Sequence, residues 1–441
     1  MSFITVQVGQ CGNQLGNEVF SKIKNEASNQ VEEIETCIEE SFFKESTTGQ
    51  AEARAVLVDT EPKVVDQCCA RKGPQALWSY DPNCKVSSQG GAGNNWGHGY
   101  TGYGPAMSED ILDAVSRQAE QCDWLAGFIV AQSVAGGTGS GLGTYLTEVL
   151  AEEYPGALTV NLAVCPYSTG EVILQNYNAC LTLSRVARTS DAVLLLENSV
   201  FNRLAAKVLG PQSQRNPSLH DLNSVMALQV ASVFLPAYQR HSERNIWALN
   251  DSLQHLCGHQ GYNVLTSSMV PQVAEEAIEF SSDSWQALNK RLYQMNLCGK
   301  HVESEIDWSL RSRTKVGMEK QWSSSLANIT FSRGTESENS EPKQFSEEIH
   351  RYPVWYDSPS ISCWTPSGYH GHDKFVSLLS NSQACLEFLD QTTMKAYEMF
   401  ESQAYVHQYT TYGLQHQDFM DSFAQMEQII VNYQSLDAPL S

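Results

Sequence analysis

A glycine-rich stretch in the first third of the chain has the composition of an anion-binding loop. It reads AGGTGSG over residues 135–141, and residues 136–143 contain five glycines. Glycine allows backbone N–H groups to approach a phosphate without obstruction by a Cβ atom, and Thr138 and Ser140 add hydroxyl donors. A helical pattern follows Gly141, and the positive N-terminal end of that helix favours the same anion. These residues predict a phosphate-binding loop.

The loop differs from the two commonest nucleotide-binding motifs. No Lys follows the glycines, as one does in a P-loop. The sixth position of the dinucleotide motif is Gly, whereas counting from Gly137 or Gly139 places Leu142 or Thr144 there. The loop on its own therefore predicts an anion site without specifying the nucleotide.

Apolar, β-rich runs supply the elements that would position this loop. Five of them occur in the first 200 residues, at residues 3–8, 53–62, 125–134, 158–166 and 191–198. Helical patterns separate the runs, which is typical of an α/β fold with a doubly wound, nucleotide-binding parallel sheet. Ligands of such sheets bind at the carboxyl ends of the strands.

Polar and glycine-rich residues follow these runs. Gln10 and Cys11 follow the first run, Asp59 and Glu61 lie at the end of the second, and another glycine-rich loop spans residues 90–100. Any one of these turns could be a plain connection between a strand and a helix. Several of them at one edge of a sheet indicate a phosphate site, because many backbone N–H groups can then converge on one anion.

The composition excludes several other classes of protein. The formal net charge is −22, which argues against a nucleic-acid partner because phosphate backbones are bound through basic patches. No run approaches 18 apolar residues, so we expect no membrane partner. The 12 Cys residues contain no CxxC pair, and no basic region precedes an apolar block at the N-terminus. We therefore expect a cytoplasmic chain with reduced thiols.

Four regions are predicted along the chain. A nucleotide-binding α/β domain spans residues 1–215, a core helix 216–240, an intermediate α+β domain 241–375 and a C-terminal layer of helices 376–441. Within the third region the polar tract at residues 334–344 predicts a surface loop. The last helix carries one apolar stripe at helical spacing, formed by Phe419, Phe423, Met426, Ile430 and Tyr433.

Several motifs, taken together, resemble those of the tubulin family. They have the family's order and spacing and cover nearly the whole chain: VGQCGNQLGNEVF, VLVDTEPKVVD, GAGNNWGHGY, GGTGSG, QNYNACLTLSR and AYVHQYTTYGL. Ala135 stands where α- and β-tubulins have the Gly that begins the glycine-rich motif. That change, with the segments RAVLVDTEPKVV, GSGLG, TGEVI and VHQYT, is most similar to the isotype class associated with centrioles and basal bodies.

The resemblance implies a guanine-nucleotide site that holds GTP or GDP with Mg²⁺. Asp59 and Glu61 would stand near the metal, through water, because Mg²⁺ keeps much of its hydration shell. Asn198 and Asn223 would read the guanine base with their amide groups, although Asn223 fits a helix start equally well. The residues implied around the nucleotide are Gln10, Cys11, Ala92, Gly93, Asn94, Ser133, Ala135, Gly136, Gly137, Thr138, Gly139, Ser140, Gly141, Glu171, Gln175, Asn198 and Asn223.

Two positions depart from the family pattern. Leu219 stands where the family usually has an aromatic ring stacked on guanine, so we expect weaker stacking. In the loop whose acids reach the nucleotide of a neighbouring subunit, only Asp251 falls on an acidic position, and Ala248 replaces the earlier acid. Asp251 is the candidate catalytic residue, and it equally fits a helix cap. We expect at most weak, assembly-dependent GTP hydrolysis.

The resemblance also implies partners and a location. The partners would be other tubulins, either α/β or centriolar isotypes, in the cytoplasm and cytoskeleton at a centriole or basal body. The chain ends without the long acidic tail of other tubulins, so we do not expect motors to bind through one.

Two other functions are compatible with a phosphate-binding loop. A soluble signalling GTPase that does not polymerise is disfavoured because the chain has no Asn-Lys-x-Asp motif and no Lys after the glycines. A nicotinamide-dependent oxidoreductase is disfavoured because the dinucleotide motif fails.

Overall fold

The computed structural model describes most of the chain, and the described residues form two compact units. They are residues 1–46, 49–70, 76–167, 170, 172–210, 215–242, 245–280, 283–311 and 322–437. The first unit comprises Met1–Ala27, Thr36–Asn198 and Glu387–Ile430. The second comprises Ser28–Glu35, Ser199–Leu386 and Val431–Ser441. Because this division into two is a coarser one, the four regions predicted from the sequence stay predictions.

Strands and helices alternate over much of the chain. The strands are β1 (Ser2–Val8), β2 (Phe43–Glu45), β3 (Ala51–Ala53), β4 (Ala55–Asp59), β5 (Trp78–Tyr80), β6 (Lys85–Ser87), β7 (Leu125–Ser133), β8 (Leu158–Cys165), β9 (Ala192–Glu197), β10 (Ala237–Gln239), β11 (Ile246–Trp247), β12 (Val264–Val270), β13 (Ser325–Gly334), β14 (Ser360–Thr365) and β15 (Lys374–Ser382). The α-helices are α1 (Gly9–Ala27), α2 (Glu32–Phe42), α3 (Pro62–Cys69), α4 (Gly104–Ala119), α5 (Gly143–Glu153), α6 (Gln175–Thr189), α7 (Asn198–Leu209), α8 (Leu219–Phe234), α9 (Leu249–Leu256), α10 (Trp285–Cys298), α11 (Lys343–Glu347), α12 (Leu386–Glu401), α13 (Val406–Thr410) and α14 (His416–Gln434). Two π-helical turns, His98–Tyr103 and Thr138–Leu142, precede α4 and α5.

The first unit contains a parallel sheet of six strands in the order β9-β8-β7-β1-β4-β6. The five apolar runs of the sequence become β1, β4, β7, β8 and β9, as predicted. Strand β1 lies in the middle, pairing Val6 with Val56 on one side and Val130 on the other, and it is buried along its whole length. Its buried residues include the polar Thr5 and Gln7, and the Gln7 side chain is satisfied by the Tyr80 hydroxyl at 3.1 Å. A parallel sheet buried in this way is the α/β architecture predicted from the sequence.

Helices pack on both faces of this sheet. On one face, Ile4, Val6 and Val8 form a buried cluster with residues of α4 and α5. On the other face α1 lies so close that a Cβ atom on Gly12 would collide with a carbonyl oxygen of β7. Gly16 contacts the Gln7 side chain of β1 in the same way. Because the strands are parallel, their carboxyl ends lie at the same end of the sheet. Helix α1 and the turn before α5 both begin there.

The second unit is built around α8 and a mixed sheet. Helix α8 is buried along nearly all of its length, as predicted for a core helix, although Leu219 at its first position is 62% exposed. The sheet has the order β11-β10-β14-β13-β15-β12, and only the β13–β14 pair in it is parallel. Residues of α10 and α11 pack on β12 and β15 in a separate apolar cluster.

The polar tract at residues 334–344 is only partly a surface loop, so the prediction from its composition was wrong in part. Ser337 and Ser340 are buried, and Ser337 Oγ donates a hydrogen bond to a carbonyl oxygen of β14 at 2.7 Å. Arg240 donates through Nη2 to Ser337 O at 2.9 Å and through Nη1 to the next carbonyl oxygen. This buried arginine follows β10 in the sequence, so the tract's own composition could not reveal it.

The C-terminal helices confirm the predicted apolar stripe. All five of its residues in α14 are buried, and Phe419 stacks on Phe400 of α12 with ring centroids 5.3 Å apart. Among the described helices, none has both the length and the apolar character needed to cross a bilayer.

Candidate functional site

Three loops of the first unit meet at the carboxyl ends of the parallel strands. A Cβ atom on Gly9, just after β1, would lie 3.1 Å from Gly139 N. One on Gly137 would lie 2.7 Å from Asn95 N. Backbones this close leave no room for a side chain between them, which is the physical reason for glycine here. The structure thus brings together the start of α1, the loop before α4 and the glycine-rich loop.

The amide N–H groups of residues 136–140 distinguish this edge of the sheet. None of them donates a hydrogen bond to an acceptor in the described part of the chain. The preceding amide, of Ala135, donates to Ser133 Oγ at 3.2 Å, and the following one, of Gly141, donates to Gly137 O at 2.8 Å. Buried backbone donors nearly always have partners. The amides of residues 138–140 belong to the first turn of a helix, where no intrahelical acceptor is available, and those of Gly136 and Gly137 precede it. Five consecutive donors without an acceptor in the described part of the chain fit an anionic ligand.

The carbonyl groups of the same loop are held by Asn178, a fully buried residue of α6. Its Nδ2 lies 2.8 Å from Ala135 O, 3.2 Å from Gly136 O and 2.8 Å from Asn94 O, so its two hydrogens are shared among three carbonyl oxygens. Its Oδ1 accepts from Trp96 N at 3.1 Å. One side chain thus joins the two glycine-rich loops.

The sequence analysis did not single out Asn178, but a signal for it is present in the sequence. Gln175, Asn178 and Thr182 recur at positions i, i+3 and i+7 of α6, and all three are buried. Buried polar groups must find hydrogen-bond partners. A polar stripe on the buried face of a helix therefore indicates contact with backbone groups of a loop.

Aromatic and charged side chains fix the loop before α4. The rings of Trp96 and Tyr100 are stacked 4.4 Å apart, and the Arg185 guanidinium lies 5.2 Å from the Trp96 ring. Tyr100 Oη donates to Glu148 Oε2 at 2.5 Å, and Arg185 Nη1 lies 3.4 Å from Glu148 Oε1. Burial and the Glu148 carboxylate raise the pKa of Tyr100, so its hydroxyl keeps its proton and remains a donor.

Asp59 and Glu61, predicted to lie near Mg²⁺, flank the end of β4. Asp59 is buried, and burial raises the pKa of its carboxyl to about 6. Glu61 is exposed, and a Cβ atom on Gly91 would lie 2.6 Å from its Oε1. Between them, Thr60 Oγ1 is hydrogen-bonded to Thr138 Oγ1 at 2.6 Å. A cation offsets the cost of ionising a buried carboxyl group, so these oxygens fit Mg²⁺ beside the glycine-rich loop.

Several other predicted contact residues lie at the same edge. Gln10 is exposed, and Cys11 is half-buried in the first turn of α1, where burial raises the pKa of its thiol to about 12. Ala92 is buried, whereas Gly93 and Asn94 are exposed with φ of 58° and 55°. No atom lies within 4 Å of the place that a Cβ atom on Gly93 would occupy, so this backbone is open to a ligand.

The other residues that the family resemblance places around the nucleotide are only partly described. Gln175 begins α6 and donates to Tyr167 O at 2.9 Å, and Asn198 begins α7 directly after β9. Asn223 lies in α8, in the second unit. Glu171 lies outside the described residues. Base recognition by these residues stays a prediction of the family resemblance.

Asp251 has a structural role within its own unit. Its Oδ2 accepts a hydrogen bond from Ala248 N at 2.8 Å, and its Oδ1 accepts from Asn250 Nδ2 at 3.3 Å. Ala248 directly precedes α9, so the carboxylate satisfies an amide at the start of that helix. This is the helix-cap interpretation of the sequence, and the catalytic one stays a prediction.

Comparison with known proteins identifies the class to which this site belongs. The family model described as the Tubulin/FtsZ family, GTPase domain, matches residues 2–206. Tubulin delta chain from Mus musculus is 37% identical over 99% of this chain and 100% of its own length. Tubulin delta chain from Homo sapiens is 36% identical over the same shares, and tubulin beta-2 chain from Geotrichum candidum is 27% identical over 98% of this chain and 93% of its own.

The chain therefore belongs to the tubulin family. Within the family it is similar to the delta chains, which confirms the isotype class predicted from Ala135 and the accompanying motifs. A GTPase-domain match over residues 2–206 makes this a delta-tubulin-like, GTP-binding protein. The signalling-GTPase and oxidoreductase interpretations are not favoured.

Proposed function

We propose that the chain binds GTP or GDP together with Mg²⁺ at the carboxyl edge of its parallel sheet, and that it acts with other tubulins in the assembly or stability of centriole and basal-body microtubules. The similarity to tubulin delta chains over whole chains supports the second part. The first part rests on the loops described above. Its location would be the cytoskeleton of the cytoplasm, at a centriole or basal body.

The amides of residues 136–140, for which the described residues supply no acceptor, are the observation that carries the proposal. They would donate to phosphate oxygens, with the N-terminal end of α5 adding partial positive charge. Gln10 and Cys11 would lie along the nucleotide, with Gln10 near the phosphates, and residues 92–94 would approach the terminal phosphate. The metal ion would neutralise phosphate charge, held near Asp59 and Glu61 through its water shell. Asn198 and Asn223 stay the predicted base-reading residues.

Hydrolysis of the nucleotide would depend on assembly. Asp251 would act on the nucleotide of a neighbouring subunit, so a single chain carries an incomplete site. In phosphoryl transfer, catalysis rests mainly on positioning and electrostatic stabilisation. The proposed enzyme activity is therefore weak and limited to assemblies.

A single glycine substitution tests nucleotide binding with little risk to the fold. On Gly136 a Cβ atom would meet only Asn94 Oδ1, at 3.8 Å, so a side chain can start there beside the amides, and Gly136→Val is the test variant. Gly156→Val is the matched control, because Gly156 is exposed and has no atom within 4 Å of its Cβ position. Both variants should keep the thermal stability of the ligand-free wild type.

The measurement is the guanine nucleotide released when each purified protein is denatured in acid. We expect about one nucleotide per chain from wild type and Gly156→Val, and at least a tenfold lower content from Gly136→Val, because the valine blocks phosphate oxygens from the amides. An unchanged content in Gly136→Val would refute this loop as the phosphate site. A dinucleotide in place of a guanine nucleotide would refute the function.

A further inference from the structure

The peptide groups of the glycine-rich loop have a defined direction, and Asn178 is the residue that sets it. In a planar trans peptide the C=O and N–H groups point in opposite directions. The carbonyls of Ala135 and Gly136 point to Asn178 Nδ2, at 2.8 and 3.2 Å. The amides of Gly136 and Gly137 must therefore point away from Asn178. These are two of the amides without a partner in the described part of the chain.

Without Asn178 nothing in the backbone itself would keep these peptides in one orientation. Glycine adopts both signs of φ readily, so a peptide group between glycines can turn over at little cost. A turned peptide would present its carbonyl oxygen, which repels a phosphate, where its N–H now stands. Ser140 Oγ also donates to Gly136 O, but that hydroxyl belongs to the loop itself. Asn178 alone among these donors comes from a separate helix.

The orientation of the Asn178 amide is in turn fixed by two donors. Its Oδ1 accepts from Trp96 N at 3.1 Å and from the Tyr409 hydroxyl at 2.7 Å. Both groups are donors here, so oxygen must face them and Nδ2 must face the carbonyl oxygens. Tyr409 is buried in α13, within the same unit, and its ring packs edge-on against Tyr177 and Phe419.

We infer that Asn178 is a positioning residue for phosphate binding, oriented by Tyr409: it holds the carbonyls of Ala135 and Gly136 so that the amides of Gly136 and Gly137 face the phosphates. This inference rests on the proposed nucleotide site. It assigns to α13 a part in nucleotide binding although the residues of α13 need not touch the nucleotide.

Two variants separate this role from simple packing. Asn178→Asp keeps the shape and the acceptor for Trp96 and Tyr409, but it replaces the NH₂ group with an oxygen facing three carbonyl oxygens. Tyr409→Phe removes only the hydroxyl. Tyr177→Phe is its matched control, because this equally buried tyrosine loses a hydrogen bond of 3.0 Å to Ala404 O and contacts the same rings.

The readout is the affinity of the nucleotide-depleted full-length chain for GDP and for guanosine, which has no phosphates, measured by calorimetric titration. Since a hydrogen bond to a charged group commonly changes binding tenfold or more, Asn178→Asp should weaken GDP binding about a hundredfold. Tyr409→Phe should weaken it about tenfold, and Tyr177→Phe less than about twofold. Guanosine binding should change less than about threefold in all three, because the loop acts on phosphates alone.

Equal losses for GDP and guanosine in Asn178→Asp would reduce the residue to a packing role and overturn the inference. Equal GDP affinities in Tyr409→Phe and Tyr177→Phe would also overturn the inference. This pair tests the inference even if Asn178→Asp does not fold. Failure of the proposed function itself has a different signature: wild type would then bind GDP no more tightly than guanosine.

Discussion

The starts of helices α5 and α9 differ in what satisfies their amides. Before α5, the amides of residues 136–140 have no acceptor in the described part of the chain. Before α9, Asp251 accepts the hydrogen bond of Ala248 N at 2.8 Å. Both helices carry the same positive N-terminal end. The amides of residues 249–251, in the first turn of α9, also have no acceptor in the described part of the chain, as is usual at a helix start. The loop before α5 differs because its run of amides without an acceptor begins two residues ahead of the turn that starts at Thr138, whereas the amide ahead of α9 is bound by Asp251.

The side chains around the two starts differ in the same sense. Donors surround the turn before α5: Asn178 Nδ2 and the hydroxyls of Ser140 and Thr144 all bind carbonyl oxygens. At two helix starts in the second unit the side chain is instead an acceptor. Asp221 accepts from the amide that precedes α8, and Asp251 accepts from the amide that precedes α9. Because side-chain donors occupy the carbonyl oxygens of the loop before α5, its amide N–H groups remain available to a ligand. That is the difference expected between a loop that binds an anion and one that does not.

The largest effect on stability is expected from a substitution that separates the glycine-rich loop from the loop before α4. A Cβ atom on Gly141 would collide with Trp96 O and lie 2.7 Å from Tyr100 N, both of them backbone atoms. Gly141→Ala should therefore lower the apparent free energy of unfolding by about 3 kcal/mol, as overpacking does, and release the nucleotide. Urea unfolding and nucleotide content measure the two effects. Gly156→Ala should change neither, and normal nucleotide content in Gly141→Ala would contradict the geometry of the two loops.

An intermediate effect on the free energy of unfolding is expected at the start of α8, where Asp221 accepts hydrogen bonds. Asp221 accepts hydrogen bonds from Arg215 at 2.5 and 3.0 Å and from Ser218 N at 2.7 Å, and these contacts hold the pKa of its carboxyl well below its usual range. At pH 7, Asp221→Asn should lower the free energy of unfolding by about 1 to 2 kcal/mol, because the charge-assisted hydrogen bonds from Arg215 are lost although the amide oxygen can still accept from Ser218 N. The comparison with wild type is made by urea unfolding across a pH series.

The pH dependence follows from the sign of that shift. A carboxyl with a depressed folded-state pKa contributes its stability fully above the unfolded value, about 3.9, and loses it as the pH falls through the lower folded value. The difference between wild type and Asp221→Asn should therefore shrink toward zero below about pH 4. Asp357→Asn, at an exposed position of the second unit, serves as control. A difference that is constant from pH 7 to pH 2 would mean that the ionised carboxylate does not close this helix.

The smallest effect on stability is expected at Asp251. Asp251→Ala should cost about 1 kcal/mol, and Asp251→Asn less, because its amide oxygen can still accept from Ala248 N. Single-turnover GTP hydrolysis tests the proposed second role. Dilute chain should hydrolyse negligibly with either residue, and after addition of αβ-tubulin Asp251→Ala should be slower by about a hundredfold. Equal rates in the mixture would leave Asp251 as a cap alone, and fast hydrolysis by the dilute chain would contradict an incomplete site.

The strand ends could be predicted because their signals are local. Most of the apolar runs stop at or near glycine or an acid, and parallel strands necessarily bring such ends to one edge. The place of Thr138 and Asp59 at that edge follows from this rule, and the structure ties them together through Thr60. The family resemblance added the guanine nucleotide, which no spacing in the sequence specifies.

The contacts that complete the loop could not be predicted because their partners are distant in sequence. Asn178 is one of several polar residues of α6, and its role depends on Asn94, Ala135 and Tyr409. The tract at residues 334–344 failed for the same reason. Its serines are buried, and the arginine that donates to its carbonyl oxygens, Arg240, lies about a hundred residues earlier in the chain.

The C-terminal part of the first unit is fastened directly to the loop before α4. Asn95 Nδ2 donates to Gln408 O at 3.2 Å, Thr101 Oγ1 donates to Tyr412 O at 2.8 Å, and the first of these pairs is separated by 313 residues. Contacts of such separation form late in folding, because a long loop must close before they contribute. During synthesis, the loop before α4 is thus made long before the C-terminal residues that hold it. We therefore expect the nucleotide to bind chains in which these C-terminal contacts have formed, and not chains that still lack them.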